Sequence, residues 1–243
     1  MRNQSLSIAS FAVLASLAGC TRTQPSPEPS ANAPAAAAPA REGTARPAAA
    51  LIQTSTPGVS GHAELGQPAP DFELPDLDGT KVRLSSYRGK PVVLEWFNPG
   101  CPFVNASHTK GSLKGLAARE TAKGVVWLAI NSASPGKQGY GVQANVDGKK
   151  KYGMAHPILL DESGSVGHAY GAKHTPHIFI VDANGTLVYR GGIDNSPDGE
   201  GESPQGGTLV NYAANALDDI AAGKPVRVAD TEAYGCSVKY ANP

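Results

Sequence analysis

Residues 91–104 read Pro91-Val92-Val93-Leu94-Glu95-Trp96-Phe97-Asn98-Pro99-Gly100-Cys101-Pro102-Phe103-Val104, and this stretch decides the fold. A mostly apolar run of strand length predicts a strand over 91–97 that is buried on both faces. Asn98-Pro99-Gly100 breaks it, and Pro102, a residue favoured at the first helical position, opens a helix directly after Cys101. The pattern places the Cys101 sulfur at a helix amino terminus, where unpaired backbone amides and the helix dipole stabilise a thiolate. Free cysteines are often buried and inert, but the strand-break-cysteine-proline context favours a reactive thiol.

Working outward, 82–84 is a short strand and 124–131 holds a second apolar strand, Val125-Val126-Trp127-Leu128-Ala129-Ile130. A polar helix over 138–152 leads to a strand at 157–160 and a short helix at 166–170. After His174-Thr175-Pro176, strands at 177–182 and 186–190 flank the turn Ala183-Asn184-Gly185, a hairpin pattern. The last helix spans 208–221, with Leu209, Tyr212, Ala213, Ala216, Leu217 and Ile220 at helical spacing and Gly223 as its stop. This order predicts an α/β sandwich of parallel and antiparallel strands. Residues 62–228 form one domain with its own core, and 229–243 form a polar tail carrying Cys236. The segment 194–207, rich in Gly, Pro, Ser and acid, reads as a substrate-facing loop or as a solvated insertion.

The chain opens with Met1-Arg2-Asn3-Gln4, an apolar run, and Leu17-Ala18-Gly19-Cys20. That is the layout of a secretory signal peptide over 1–20, and the run is shorter than the ~20 residues of a bilayer-spanning helix. Its end resembles the bacterial lipobox, which implies cleavage before Cys20 and acylation of its thiol. By the same resemblance, Thr21 in place of an aspartate implies an outer-membrane lipoprotein facing the periplasm. Residues 21–61 are mostly Ala, Pro, Ser and Thr with few large apolar side chains, a composition expected to form a disordered tether. Lys plus Arg number 21, as do Asp plus Glu, so no global field draws nucleic acid, and no nucleic-acid partner is expected. Of the three cysteines, lipidation of Cys20 leaves Cys101 and Cys236 in a compartment where disulfides persist.

The site Trp96 to Val104, together with Thr175-Pro176 before a strand ending Val181-Asp182-Ala183-Asn184-Gly185, resembles the thioredoxin superfamily. Gly66-Gln67-Pro68-Ala69-Pro70-Asp71-Phe72, Asp78-Gly79 and Leu84 to Lys90 resemble its redoxin branch, which contains peroxiredoxins and exported thiol-disulfide oxidoreductases. The closest likeness is to the peroxiredoxin-like group with a Cys-Pro-Phe-Val site and a tail such as Tyr234 to Tyr240. The resemblance implies a thioredoxin-like three-layer α/β/α sandwich with a mixed central sheet. It implies Cys101 as nucleophile, Glu95 as an acid near the sulfur, and Thr175 and Pro176, with Trp96 and Pro102, as substrate contacts.

Two departures matter. Thioredoxins carry a second cysteine where Val104 stands, and peroxiredoxins place their peroxidatic cysteine there, with a threonine where Cys101 stands. Cys236 is therefore the candidate to resolve or pair with Cys101, as a catalytic or as a permanent structural bond, the alternative being an unpaired thiol that never meets Cys101. Glu95 is expected either to be buried, with its pKa raised by desolvation and a role as general acid or base, or to face water at a strand edge. The Thr175 peptide groups, next to a cis proline, are positioned to pair with an extended substrate chain. His174 resembles the histidine of copper chaperones of cytochrome oxidase assembly, but Cys101 and His174 alone make too few ligands for a closed site. His174, His177, His108, His156 and His168 are read as surface residues without ligand duty.

The leading expectation is a cell-envelope thiol-disulfide oxidoreductase without a cofactor, acting on protein thiols or disulfides or drawing on a thiol electron donor. The alternatives are a thiol-dependent peroxidase in which Cys101 forms a sulfenic acid, and a non-enzymatic copper-binding or redox-sensing protein. The lipobox likeness makes its own prediction: labelled palmitate fed to expressing bacteria enters the wild-type protein, and Cys20→Ser abolishes the labelling.

Overall fold

In the computed structural model, which describes residues 59 and 61–242, an antiparallel ribbon of β1 (Glu73–Pro75) and β2 (Lys81–Arg83) leads into a 3-10 turn at Leu84–Tyr87. The signal peptide, Cys20 and almost all of the 21–61 tether lie outside the described residues. The central strand β3 (Val92–Trp96) follows and hands over to α1 (Pro102–Thr109). Then come α2 (Leu116–Ala122), β4 (Val126–Asn131), α3 (Val142–Lys151), β5 (Ile158–Leu160) and α4 (Ser165–Tyr170). The chain ends with β6 (His174–Thr175), β7 (His177–Val181), β8 (Leu187–Gly191), α5 (Tyr212–Ala221) and β9 (Cys236–Ser237).

Five strands form one mixed sheet in the order β5-β4-β3-β7-β8. β3, β4 and β5 run parallel, while β7 is antiparallel to β3 and β8 to β7. β3 sits in the middle, which is why its apolar run has no solvent face. Successive side chains of a strand point to opposite faces, so Leu94 and Trp96 join Phe179, Tyr170 and Leu128 on one side. Val93 joins Trp127, Ile178 and Ile180 on the other, under Leu116 of α2 and Ala213 and Leu217 of α5. Helices on both faces of a mixed sheet make the thioredoxin-like sandwich that the sequence predicts.

The structure differs from the sequence-based expectation at specific places. The last helix begins at Tyr212, because Asn211 caps it by accepting a hydrogen bond from Ala214 N at 2.8 Å, a strong start signal. Leu209 therefore lies outside the helix and is exposed. Helix α2 and the paired segments β6 and β9 were not expected; β6 and β9 are two residues each and exist through their pairing. The 194–207 segment is tied down at its middle. The Asp198 carboxylate accepts from Glu200 N and Gly201 N, and Glu200 pairs with Lys110 at the end of α1 at 3.0 Å. Gly111 meets the Gly199 carbonyl so closely that no Cβ fits. The segment thus packs on the helix that follows Cys101. Among the described residues, no helix is long and apolar enough to cross a membrane.

Phe179 forms a three-ring cluster with Trp96 and Tyr170, its ring centroid 5.0 and 5.5 Å from theirs, and is fully buried. Phe179→Ala is expected to cost about 3–5 kcal/mol, read as a lower urea midpoint at an unchanged slope.

Candidate active site

Cys101 stands at the N-cap of α1 in an extended conformation, and Pro102 occupies the first helical position. No side chain caps this helix amino terminus, so its first amides are available to the Cys101 sulfur. The preceding turn is fixed by its own polar groups. Asn98 Oδ1 accepts from Gly100 N at 2.9 Å, Asn98 Nδ2 donates to the Gln138 carbonyl at 2.9 Å, and Gln138 Nε2 donates to the Gly100 carbonyl at 3.0 Å. Cys101 N closes the turn on the Asn98 carbonyl at 3.1 Å.

Across from this turn lies the Thr175–Pro176 peptide bond, which is cis. Cys101 Sγ is 3.1 Å from the Thr175 carbonyl oxygen, a contact in which the reduced thiol donates. Cys236 arrives beside it on β9, whose register sets Thr175 against Cys236 and His174 against Ser237 in antiparallel pairing. The sulfurs of Cys101 and Cys236 are at bonding distance, with their Cα atoms 6.2 Å apart across 135 residues of chain, within the usual disulfide span. In this paired state Cys101 is 1% exposed. Thr175 and Pro176 are buried against the site while Pro102 is exposed beside it.

Trp96 requires a correction. It is fully buried on the face of the sheet occupied by Tyr170 and Phe179, and its Nε1 donates to Ser132 Oγ at 3.1 Å. Strand alternation turns it away from α1, so it is a core residue and not a substrate contact.

Glu95 is also fully buried, so it does not face water. Its carboxylate is held by His108 Nε2 at 2.7 Å and by Trp127 Nε1 at 2.9 Å. Burial alone pushes its pKa up, but the charge and hydrogen bond of His108, the nearby His156 and the Trp127 donor together bring it below the ordinary value. The expected upward shift is thereby reversed, because a desolvated carboxylate with two donors keeps its charge. The bond to His108, near the end of α1, ties that helix to the central strand.

Two more histidines depart from the surface reading. His156 and His177 are buried, and burial lowers their pKa values to about 4 and about 3. His177 Nδ1 accepts from Lys173 N at 3.3 Å. His174 Nδ1 lies 3.2 Å from the Gly235 carbonyl. Among the described residues, no three His, Cys, Asp or Glu side chains converge as a metal site.

Sequence reasoning passed over His108 as the partner of Glu95, although its place six residues after Pro102 on an amphipathic helix puts it back over the sheet. It also passed over Gly235, whose φ of +124° and tight fit against the Thr175 carbonyl exclude a side chain.

A family model described as Redoxin matches residues 64–205. Thiol-disulfide oxidoreductase ResA of Geobacillus thermodenitrificans (strain NG80-2) is 33% identical over 125 residues, 51% of this chain and 66% of that protein. The chain therefore spans just under two thirds of that relative's length. Thioredoxin-like protein YneN of Bacillus subtilis (strain 168) is 31% identical over 138 residues, 56% of this chain and 76% of that protein. Among solved structures, an uncharacterized conserved protein from Geobacillus kaustophilus matches with a TM-score of 0.64 at 32% identity, over 74% of this chain and 94% of that one. A hypothetical protein from Sinorhizobium meliloti 1021 matches with a TM-score of 0.64 at 29% identity, over 76% of this chain and 100% of that one.

The buried histidines make stability pH-dependent with a definite sign. Burial lowers the folded pKa of His156 from 6.5 to about 4, against the pull of the Glu95 carboxylate and with the help of His108 and Lys149. Below pH 6.5 the unfolded chain binds a proton that the folded chain refuses until about pH 4. Stability is thus complete above pH 6.5 and falls through that window, by an amount on the order of 3 kcal/mol. Urea titrations at stepped pH are expected to show this fall, and His156→Phe to make it shallower, leaving the share that comes from His177.

Proposed function

This chain belongs to the redoxin family, and on that footing we propose that it is a thiol-disulfide oxidoreductase of the cell envelope in which Cys101 is the nucleophile and Cys236 the resolving thiol. The observation that carries this reading is the meeting of the two sulfurs at the amino terminus of α1, opposite the Thr175–Pro176 loop. A cysteine in that position is a stabilised thiolate when reduced. Relatives named thiol-disulfide oxidoreductase and thioredoxin-like protein support the same chemistry.

In the reducing direction the Cys101 thiolate attacks one sulfur of a substrate disulfide. A Cys101–substrate bond forms, the substrate S–S bond breaks, and one substrate thiolate leaves. The Cys236 thiolate then attacks Cys101 Sγ and expels the second substrate thiolate. Two electrons have passed to the substrate, and the chain holds the Cys101–Cys236 disulfide. An external dithiol returns the pair to its reduced form by the same exchange run in reverse. No bound cofactor is needed for these steps.

Thr175 and Pro176 line the sulfur pair and are the proposed substrate contacts, with Pro102 at the exposed rim. Glu95 is a positioning residue in this proposal: through His108 it fixes the helix that presents Cys101. The anchoring on Cys20 and the outer-membrane location facing the periplasm belong to the same proposal, supported by the lipobox likeness and by a pairing that suits an oxidising compartment.

Turbidity from insulin reduction, with dithiothreitol as electron source, tests the reading. Wild type is expected to accelerate precipitation and Cys101→Ser to abolish the acceleration. Cys236→Ser is expected to accumulate a mixed disulfide visible by intact mass. Hydrogen peroxide consumed at the expense of the thiol, with insulin untouched, would instead assign the peroxidase activity.

A further inference from the structure

Strand β9 holds Cys236 against Cys101 by lying along β6, and β6 is also where the oxidoreductase reading puts a substrate chain. We infer that the carboxy-terminal segment around residues 234–240 is a tethered stand-in for substrate, and that the partner it stands in for is an extended, cysteine-bearing polypeptide strand that pairs with β6 in the same antiparallel register. This inference rests on the oxidoreductase reading, with its extended substrate chain beside Thr175, and adds that the protein's own tail holds that place and must be displaced.

Three sets of observations carry it. The first is register: Cys236 lies opposite Thr175 and Ser237 opposite His174, and Val238 N donates to the Lys173 carbonyl at 3.0 Å. An extended backbone along β6 therefore delivers a cysteine sulfur to Cys101, whose own sulfur is 3.1 Å from the Thr175 carbonyl. The second is exclusivity. Among the described residues β6 has β9 as its only strand partner, and two chains cannot use the same peptide groups at once.

The third is that the tail is seated by contacts that do not involve sulfur. The Tyr240 ring stacks on His168 at 4.1 Å, and its hydroxyl donates to the Ala172 carbonyl at 2.8 Å. Gly164 and Gly167 form the slot for that ring, since a Cβ on either would run into it. Tyr234 donates to Asp194 at 2.7 Å, and Ser134 N donates to the Lys239 carbonyl at 2.9 Å. Gly235 passes the Thr175 carbonyl too closely to carry a side chain.

Reduction of the disulfide accordingly frees both sulfurs while the strand stays seated. An incoming chain has to displace it, and the displaced tail remains attached at high effective concentration. Once the Cys101–substrate disulfide has formed, return of the tail to β6 ejects the substrate strand. The same movement brings the Cys236 thiolate onto Cys101 Sγ, with the substrate thiolate as leaving group.

The test is made in full-length protein carrying Cys20→Ser together with Cys236→Ser, where resolution is blocked and only the attack of Cys101 is seen. Two further variants unseat the tail without touching a sulfur: Tyr240→Ala empties the glycine slot, and Gly235→Ala forces a methyl against the Thr175 carbonyl. Two probes are used, each a nine-residue peptide whose central cysteine is disulfide-bonded to thionitrobenzoate, one with a free backbone and one N-methylated along its pairing edge. Yellow thionitrobenzoate reports reaction. Unseating is expected to speed the free-backbone peptide about tenfold, the factor that ~1.4 kcal/mol of docking imposes, and to speed the methylated peptide far less. A peptide copy of 233–241 with Ser at 236 is expected to slow the unseated variants again. Equal acceleration of both probes makes the tail a simple cover and overturns the inference, as does no acceleration of either. Absence of any reaction in Cys236→Ser protein sinks the oxidoreductase reading itself, a separate result.

Discussion

A strand with neighbours on both edges and apolar layers on both faces has no freedom left except at its ends, and β3 is such a strand. Its side chains hold two cores apart, Leu94 and Trp96 facing one and Val93 the other. Whatever follows β3 therefore emerges from a fixed point at the edge of a rigid sheet. Here that is the Asn98-Pro99-Gly100 turn, locked by Gln138, and then the cysteine. The position of the Cys101 sulfur follows from the burial of the strand before it.

One carboxylate inside that strand shows how context inverts a simple electrostatic rule. Desolvation acts against the charge of Glu95, as it does for any carboxyl out of water. The cost is met by two donors that the fold brings from different elements, His108 from α1 and Trp127 from β4. A buried charge held this way is a fastening between layers, and its loss would orphan both donors at once.

The strands of the central sheet and the helix after Cys101 were legible in sequence because apolar runs and helix-start residues are local signals. The cis Thr175–Pro176 bond and the neighbourhood of Cys101 were legible through resemblance to known proteins. What was not legible depends on distant partners. Two-residue strands such as β6 and β9 carry no periodicity and exist only because they meet. The burial of His156 and His177 is set by layers far away in sequence, and histidine as a residue type is intermediate between core and surface, so its identity alone does not place it. The facing of Trp96 was in principle readable from alternation with Leu94, but its place beside the site motif drew it to the wrong side. Leu209 kept the helical spacing yet fell outside the helix, because the Asn211 cap, a stronger local signal, lay just beyond it.

The Cys101–Cys236 pair spans 135 residues, and in chain order Cys236 follows every strand of the central sheet. On the envelope reading proposed above, a chain exported amino end first presents Cys101 before β4, β5, β7 and β8 have been delivered, and Cys236 only after all of them. The native bond thus closes a loop that contains four of the five strands of the central sheet, and its correct pairing waits until the whole of that sheet is available.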